Sequence, residues 1–173
     1  MINKKMEEAL NAQVNAELYS AYLYLSMAAY FESIDLAGFA NWMRIQFQEE
    51  QLHAFKLYDH IIGRGGRVDL KAIDKPPSKW DSPLAIFEAT LEHEQKVTAL
   101  INDLVYLARR EKDNATEIFL QWFVSEQVEE EDNAGKIVGQ LKLIKNSPQA
   151  MFMIDKEMSQ RVFTPAAPAE GDA

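Results

Sequence analysis

Apolar residues recur at alternating spacings of four and three through four long stretches of the chain, and no other feature limits its fold as tightly. Such spacing marks a helix face turned toward a core. It predicts helices over residues 4–33, 38–64, 83–111 and 115–145, with a short fifth over 149–161. Helix-breaking residues stand at the gaps: Asp35 and Gly38 after the first helix, Gly63, Gly65 and Gly66 after the second, Lys112-Asp113-Asn114 after the third, and Ser147-Pro148 before the fifth. The expected fold is all-α, with one domain over residues 1–161. Residues 162–173, carrying Pro, Ala and Gly without periodicity, read as a flexible tail.

The link between the second and third helices constrains their arrangement. Residues 65–82, GGRVDLKAIDKPPSKWDS, are longer than bundle loops usually are. At ~3.3 Å per residue they can reach about 60 Å, whereas the second helix, at ~1.5 Å per residue, is about 40 Å long. The link can therefore run the length of a bundle and leave helices two and three parallel. The short turns elsewhere make the other consecutive pairs antiparallel, which gives a four-helix bundle with one long crossover. Val68, Leu70, Ile73 and Trp80 suggest a strap laid on the bundle surface.

Each stripe is interrupted by a glutamate. The first reads Leu10, Val14, Glu17, Ala21, Tyr24, Ala28, Phe31, and the second Phe39, Met43, Gln46, Glu50, His53, Leu57, Ile61. The third reads Phe87, Leu91, Glu94, Thr98, Ile101, Val105, Ala108, and the fourth Phe123, Gln127, Glu130, Ala134, Ile137, Leu141, Ile144. One glutamate on such a stripe usually sits at its edge and reaches water. Four near mid-helix fall at one level of the core, and no Lys or Arg lies on the stripes there. Burying a carboxylate is costly unless it is compensated, so positive charge has to come from outside. Four ionised glutamates balance two divalent cations, and His53, one turn from Glu50, adds a nitrogen. Oxygen-rich donors with one imidazole and no thiolate suit iron or manganese better than copper or a structural zinc.

Composition narrows the partners. Asp and Glu number 27 against 18 Lys and Arg, a net charge of -9, which argues against nucleic acid and anionic membranes and favours cations. With no cysteine, nothing depends on disulfides or thiolate ligands. The N-terminal MINKKMEEALNAQ turns amphipathic at once, and no apolar run approaches a membrane span. A cytoplasmic location is expected.

Four stretches are more specific: NAELYSAYLYLSMA (15–28), GFANWMRIQFQEEQLHA (38–54), PPSKWDSPLAIFEATLEHE (76–94) and FLQWFVSEQVEEE (119–131). They resemble the non-haem ferritins of bacteria and archaea, and the similarity runs through about residues 4–160. The resemblance implies a ferritin-like four-helix bundle with a fifth C-terminal helix. It implies that Glu17, Glu50 and His53 bind a first iron, with Glu50 bridging to a second iron held by Glu94 and Glu130. Gln127 would stand beside the second iron and Tyr24 behind the pair. Glu49, Glu126 and Glu129, sharing Glu130, match a third iron site on the cavity side. The implied activity is that of a ferroxidase, oxidising Fe(II) with dioxygen and depositing a ferric mineral inside a hollow homo-oligomeric shell of 24 subunits.

Departures from related families refine this. Symmetric di-iron bundles carry a second Glu-x-x-His, but here the fourth helix has Gln127-x-x-Glu130. The second metal is therefore expected to be held more weakly, which suits iron in transit. Leu52 stands where bacterioferritins have a haem-ligating methionine, so no haem is expected, and the missing cysteines exclude a rubrerythrin-type iron domain. A di-iron or manganese oxidase or oxygenase without storage is the alternative. An acidic interaction module gives no reason to bury four carboxylates together. His60 and His93 are expected at the surface or an interface, and Trp42, Trp80 and Trp122 in packing roles. The fifth helix, with Met151, Phe152, Met153, Ile154 and Met158, is too apolar to stand free and is expected against the bundle or a symmetry mate.

Overall fold

A computed structural model describes residues 1–145 and 147–164. The helices are α1 (Lys4–Ser33), α2 (Ala37–Gly63), α3 (Pro83–Arg110), α4 (Asn114–Ile144) and α5 (Pro148–Met158). Their ends follow local chemistry. Asn3, Ser82, Asp113 and Ser147 accept hydrogen bonds from the backbone N–H of Met6, Ala85, Thr116 and Ala150, supplying N-caps to four helices. Pro83 and Pro148 follow two of these caps, where a missing N–H costs nothing. Asp35 and Lys112 take φ of 58° and 57° in the tight turns between helices. Most of the tail expected over residues 162–173 lies outside the described residues.

The bundle has the expected topology. Ile2 N–H donates to Arg64 O at 3.0 Å, setting the start of α1 against the end of α2. Across α1 and α3, Ser20 pairs with His93 and Met27 with Thr90, so these helices run in opposite directions. Across α3 and α4, Glu88 meets Lys142 and Arg109 meets Glu117. Helices α2 and α3 are therefore parallel, and residues 65–82 cross the full bundle between them.

That crossover is pinned along α1. Asn11 Nδ2 donates to Arg67 O at 2.9 Å and its Oδ1 accepts from Asp69 N–H at 2.7 Å. Farther along, Ser26 Oγ and Tyr30 OH donate to the carbonyls of Pro77 and Trp80. Val68 and Trp80 pack against the bundle, but Leu70 and Ile73 are exposed, so the strap is held mainly by polar contacts. On α3 the expected stripe is buried at Phe87, Glu94, Ile101, Val105 and Ala108, and it is wider than expected on one side. Thr90, Val97 and Leu104 turn inward while Leu91 and Thr98 are only half-buried. A 3.6-residue turn leaves this edge ambiguous, and the neighbouring helices resolve it.

Helix α5 crosses the start of α2. Leu36, the residue before α2, supplies no side-chain cap. Asp155 takes that role from α5, its Oδ1 accepting from Gly38 N–H at 2.8 Å and Phe39 N–H at 3.0 Å. A Cβ on Gly38 would stand 1.6 Å from Asp155 O, so only glycine allows the approach. Ile154 and Met158 are buried by this docking, whereas Phe152 and Met153 stay exposed.

The apolar core is divided. One cluster gathers Phe31, Phe39, Phe87 and Trp42 with α5, and another gathers Met6, Leu10, Leu57, Ile101 and Phe123 toward the opposite end. Between them lies a layer of buried polar side chains.

Candidate metal centre

The four helices each contribute to that layer. Glu17 comes from α1, Glu50 and His53 from α2, Glu94 from α3, and Gln127 and Glu130 from α4; none is more than 4% exposed. Four carboxyl groups are thus withdrawn from water at one level, as the mid-helix positions of the stripes required.

One half of the layer has spare lone pairs. Donor atoms of Glu17, Glu50 and His53 lie within 4.8 Å of one another. Gln13 Nε2 donates to Glu17 Oε1 at 2.7 Å, but Glu17 Oε2 and Glu50 Oε2 are buried without a donor. His53 Nδ1 is 3.4 Å from Glu50 Oε2 without hydrogen-bonding alignment. Leaving a buried acceptor unsatisfied costs about 1–3 kcal/mol, and a cation between these oxygens would remove that cost.

The other half is already hydrogen-bonded. Tyr24 OH donates to Glu94 Oε1. Gln127 Nε2 lies 3.2 Å from both Glu94 Oε2 and the Glu94 carbonyl, and Gln46 Nε2 donates to Glu130 Oε2 at 2.8 Å. A metal entering here displaces or shares existing bonds.

The electrostatics follow from burial without a counter-charge. Desolvation raises Glu17 to about 7, against the opposing effect of the hydrogen bond from Gln13. Burial, then the charges of Glu94 and Glu49, raises Glu130 to about 8. Glu50 is pushed well above the usual carboxyl range by burial and by the charges of Glu94, Glu17 and Glu130. Burial raises Glu94 as well. His53 is lowered to about 4 by desolvation and by Lys56, so its imidazole is neutral at physiological pH and free to ligate. Burial and the same carboxylates hold Tyr24 as a neutral phenol. A site of this kind exchanges protons for divalent cations.

The outer acidic residues Glu49, Glu126 and Glu129 stand close enough for the last two to add to burial in opposing the ionisation of the first. Glu49 pairs with Arg161, Nη2 to Oε2 at 2.7 Å. Glu126 comes within ligating range of His53 and Glu130, and Glu129 is exposed. His93 is half-buried, its Nε2 2.8 Å from Ser20 Oγ and its ring near Tyr19 and Tyr24; it is less superficial than expected. His60 stacks on Phe119 at 3.9 Å, outside the metal layer. Trp122 lies 5.4 Å from His53, ring to ring, with Lys56 Nζ 4.3 Å over its indole.

Three residues were not assigned roles from the sequence. Gln13 and Gln46 each precede a glutamate by four residues, a spacing that brings side chains together on one helix. Gln13 follows that rule and bonds Glu17, but Gln46 reaches across to Glu130. Arg161 lies beyond α5, and nothing in the helical periodicity pointed to it.

A family profile described as the ferritin-like domain matches residues 7–144. A bacterial non-haem ferritin of Bacteroides fragilis is 46% identical over 161 residues, covering 93% of this chain and all of that one. One from Staphylococcus aureus is 38% identical over 163 residues, covering 94% of this chain and 98% of that one. Among solved structures, a closed form of the Archaeoglobus fulgidus ferritin made by site-directed mutagenesis superposes with a TM-score of 0.94 at 59% identity, covering 95% of this chain and 100% of that one. The open-pore ferritin of the same archaeon gives 0.93 at 59% identity, with 94% and 100% covered. With the profile reaching across all four bundle helices and these relatives matched almost end to end, the chain belongs to the ferritin-like domain family.

Proposed function

We propose that this protein stores and detoxifies iron, acting as a ferroxidase at the layer formed by Glu17, Glu50, His53, Glu94 and Glu130. The observation that carries this reading is the burial of four carboxyl groups around a neutral histidine, with two carboxylate oxygens lacking donors. Fe(II) is the substrate. Two adjacent ions each give up one electron, and one dioxygen molecule accepts both. Glu50, beside Glu17 and within reach of the charges of Glu94 and Glu130, would be the ligand shared by the ions. His53 supplies the first ion with its nitrogen ligand. Gln127 and Tyr24 orient Glu94, and Gln46 orients Glu130. The carboxyls shed their protons as the cations arrive, so no charge is left uncompensated in the core.

Storage requires an enclosed volume, because ferric oxide in bulk water grows into precipitate. The likeness to bacterial and archaeal ferritins, one of them an open-pore form, supports a homo-oligomeric cage; in this reading it has 24 copies, with α5 at its subunit contacts. Phe152 and Met153, exposed on α5, support burial against another copy. Residues 1–161 act as one unit in this reading, and the expected location is the cytoplasm. No described helix is long and apolar enough to cross a membrane.

Two measurements test the proposal together. Adding Fe(II) to the metal-free protein should consume dioxygen, and sedimentation with iron counting should give a large particle holding far more iron than its oxidation sites. A monomer or dimer that saturates at two or three irons per chain rejects storage and favours a di-iron oxidase.

A further inference from the structure

The ion pair between Arg161 and Glu49 joins residues 112 positions apart and stands beside the metal layer. Glu49 immediately precedes Glu50 on α2. Several contacts hold the arginine in place. Its Cζ is 4.6 Å over the Trp42 ring, its Nη1 donates to Trp42 O at 3.4 Å, and its own carbonyl accepts from Asn41 Nδ2 at 3.0 Å. Both partners are partly shielded, with side chains 22% and 21% exposed. A cleft of about 460 Å³ between α2, α4 and α5 reaches Trp42, Glu157 and Arg161, leaving the guanidinium room to withdraw.

The surroundings of Glu49 are negative. Glu126 and Glu129 oppose its ionisation while Arg161 favours it, and Glu130 feels Glu49 and Arg161 with opposite signs. Next to this pair, His53, Glu126 and Glu130 offer donor atoms within 4.8 Å of one another. Gln46, fully buried, is anchored through Nε2 to Glu130, and its Oε1 has no donor. The flank between α2 and α4 therefore has grouped ligand atoms and, besides Lys56, a cation supplied by the chain itself in the guanidinium of Arg161.

We propose that the guanidinium of Arg161 is a tethered competitor for a further metal ion. While it holds Glu49, the flank offers a cation only Glu126 and Glu130, with His53 already committed to the inner pair. When it withdraws, Glu49 joins Glu126 and Glu130 and the position tightens. The C-terminal segment would then set how long an ion leaving the inner pair stays on this flank. The proposal rests on the iron-handling reading above and adds to it a positioning residue outside the bundle.

Zn(II), which has no redox chemistry of its own, separates the two ideas by calorimetric titration of the assembled protein. The parent should bind two ions tightly and a further one weakly. Arg161→Gln should tighten the further ion about tenfold, or roughly 1.4 kcal/mol, and leave the first two unchanged. Arg161→Lys keeps the charge and should remain close to the parent. The double variant Glu49→Gln with Arg161→Gln should lose the gain. A superimposable isotherm for Arg161→Gln, or a gain that survives in the double variant, overturns the proposal. If Arg161 only fastened α5, Arg161→Gln would lower Tm with no change in metal binding, which also overturns it. Absence of the two tight ions from the parent would instead overturn the inner-centre reading, while the change between parent and Arg161→Gln would still decide the role of Arg161.

Discussion

The two halves of the metal layer are built from similar residues and prepared in different ways. Around Glu17, Glu50 and His53, ligand atoms are gathered with two carboxylate oxygens left open. Around Glu94 and Glu130, Tyr24, Gln127 and Gln46 already occupy carboxylate oxygens. Both halves are equally cut off from water, so burial does not distinguish them; hydrogen bonding does. An open, desolvated carboxyl gives up only its proton to a cation, whereas an occupied one also loses a hydrogen-bond partner. The missing histidine at Gln127 acts in the same direction. In the proposed function, a firm first position beside an exchangeable second one would suit a substrate that has to leave after oxidation.

The largest effect is expected where the halves meet. Glu50→Ala should slow dioxygen consumption with Fe(II) by at least about 100-fold, the upper end of what even supporting residues cost a metal site. A rate within a few-fold of the parent would remove Glu50 as the shared ligand.

A smaller effect tests the asymmetry itself. In crystals soaked with limiting iron, anomalous scattering should show the Glu17–Glu50–His53 position filled well before the Glu94–Glu130 position. Equal occupancy would break the comparison. Gln127→His sharpens it by supplying the absent nitrogen: second-site affinity should rise by about tenfold and release of oxidised iron should slow. An unchanged second site would mean that Gln127 does not face the metal.

Protonation gives a third test. Glu17 and Glu130 rise from 4.5 to about 7 and 8 in the fold, so their contribution is fully present below 4.5 and is lost as pH climbs through 7 and 8. His53, lowered from 6.5 to about 4, acts oppositely, and its stability is lost as pH falls from 6.5 toward 4. The metal-free protein should therefore lose Tm between pH 6.5 and 8.5. Loading with Zn(II) should flatten that loss, and proton release on binding should be measurable near pH 6.5. A flat profile without metal would show that the buried carboxyls are compensated by something else.

The smallest effect concerns one hydrogen bond. Gln46→Leu removes the donor to Glu130 and should cost about 0.5–1.5 kcal/mol of metal-free stability, while the first metal position keeps its affinity. Loss at both positions would mean that the halves are not separately organised.

Much of this is legible in the sequence. The mid-helix placing of Glu17, Glu50, Glu94 and Glu130 follows from counting residues along helices of similar length, because a regular rise converts sequence position into height. Capping and turn residues placed the helix ends for equally local reasons. The edge of the α3 stripe is less legible, since Leu91 and Thr90 both fit an apolar stripe and only the packing of α1 and α4 selects between them. His93 is expected at the surface or an interface because rotation about its own helix suggests that; Tyr19 and Ser20 of α1 partly cover it.

By itself, then, the sequence determined what depends on neighbours a few residues apart: five helices, one long crossover, and an acidic level in a core without cysteine. Tertiary structure decided which lone pairs are free and which are taken. Gln46 bonds Glu130 on α4 and not Glu50 on its own helix, Asp155 of α5 caps α2, and Arg161 claims Glu49 from 112 residues away. Those choices depend on distances of a few tenths of an ångström between side chains on different helices. Periodicity along a single helix carries no information about them, because helical geometry sets height and facing but not the partner across the gap.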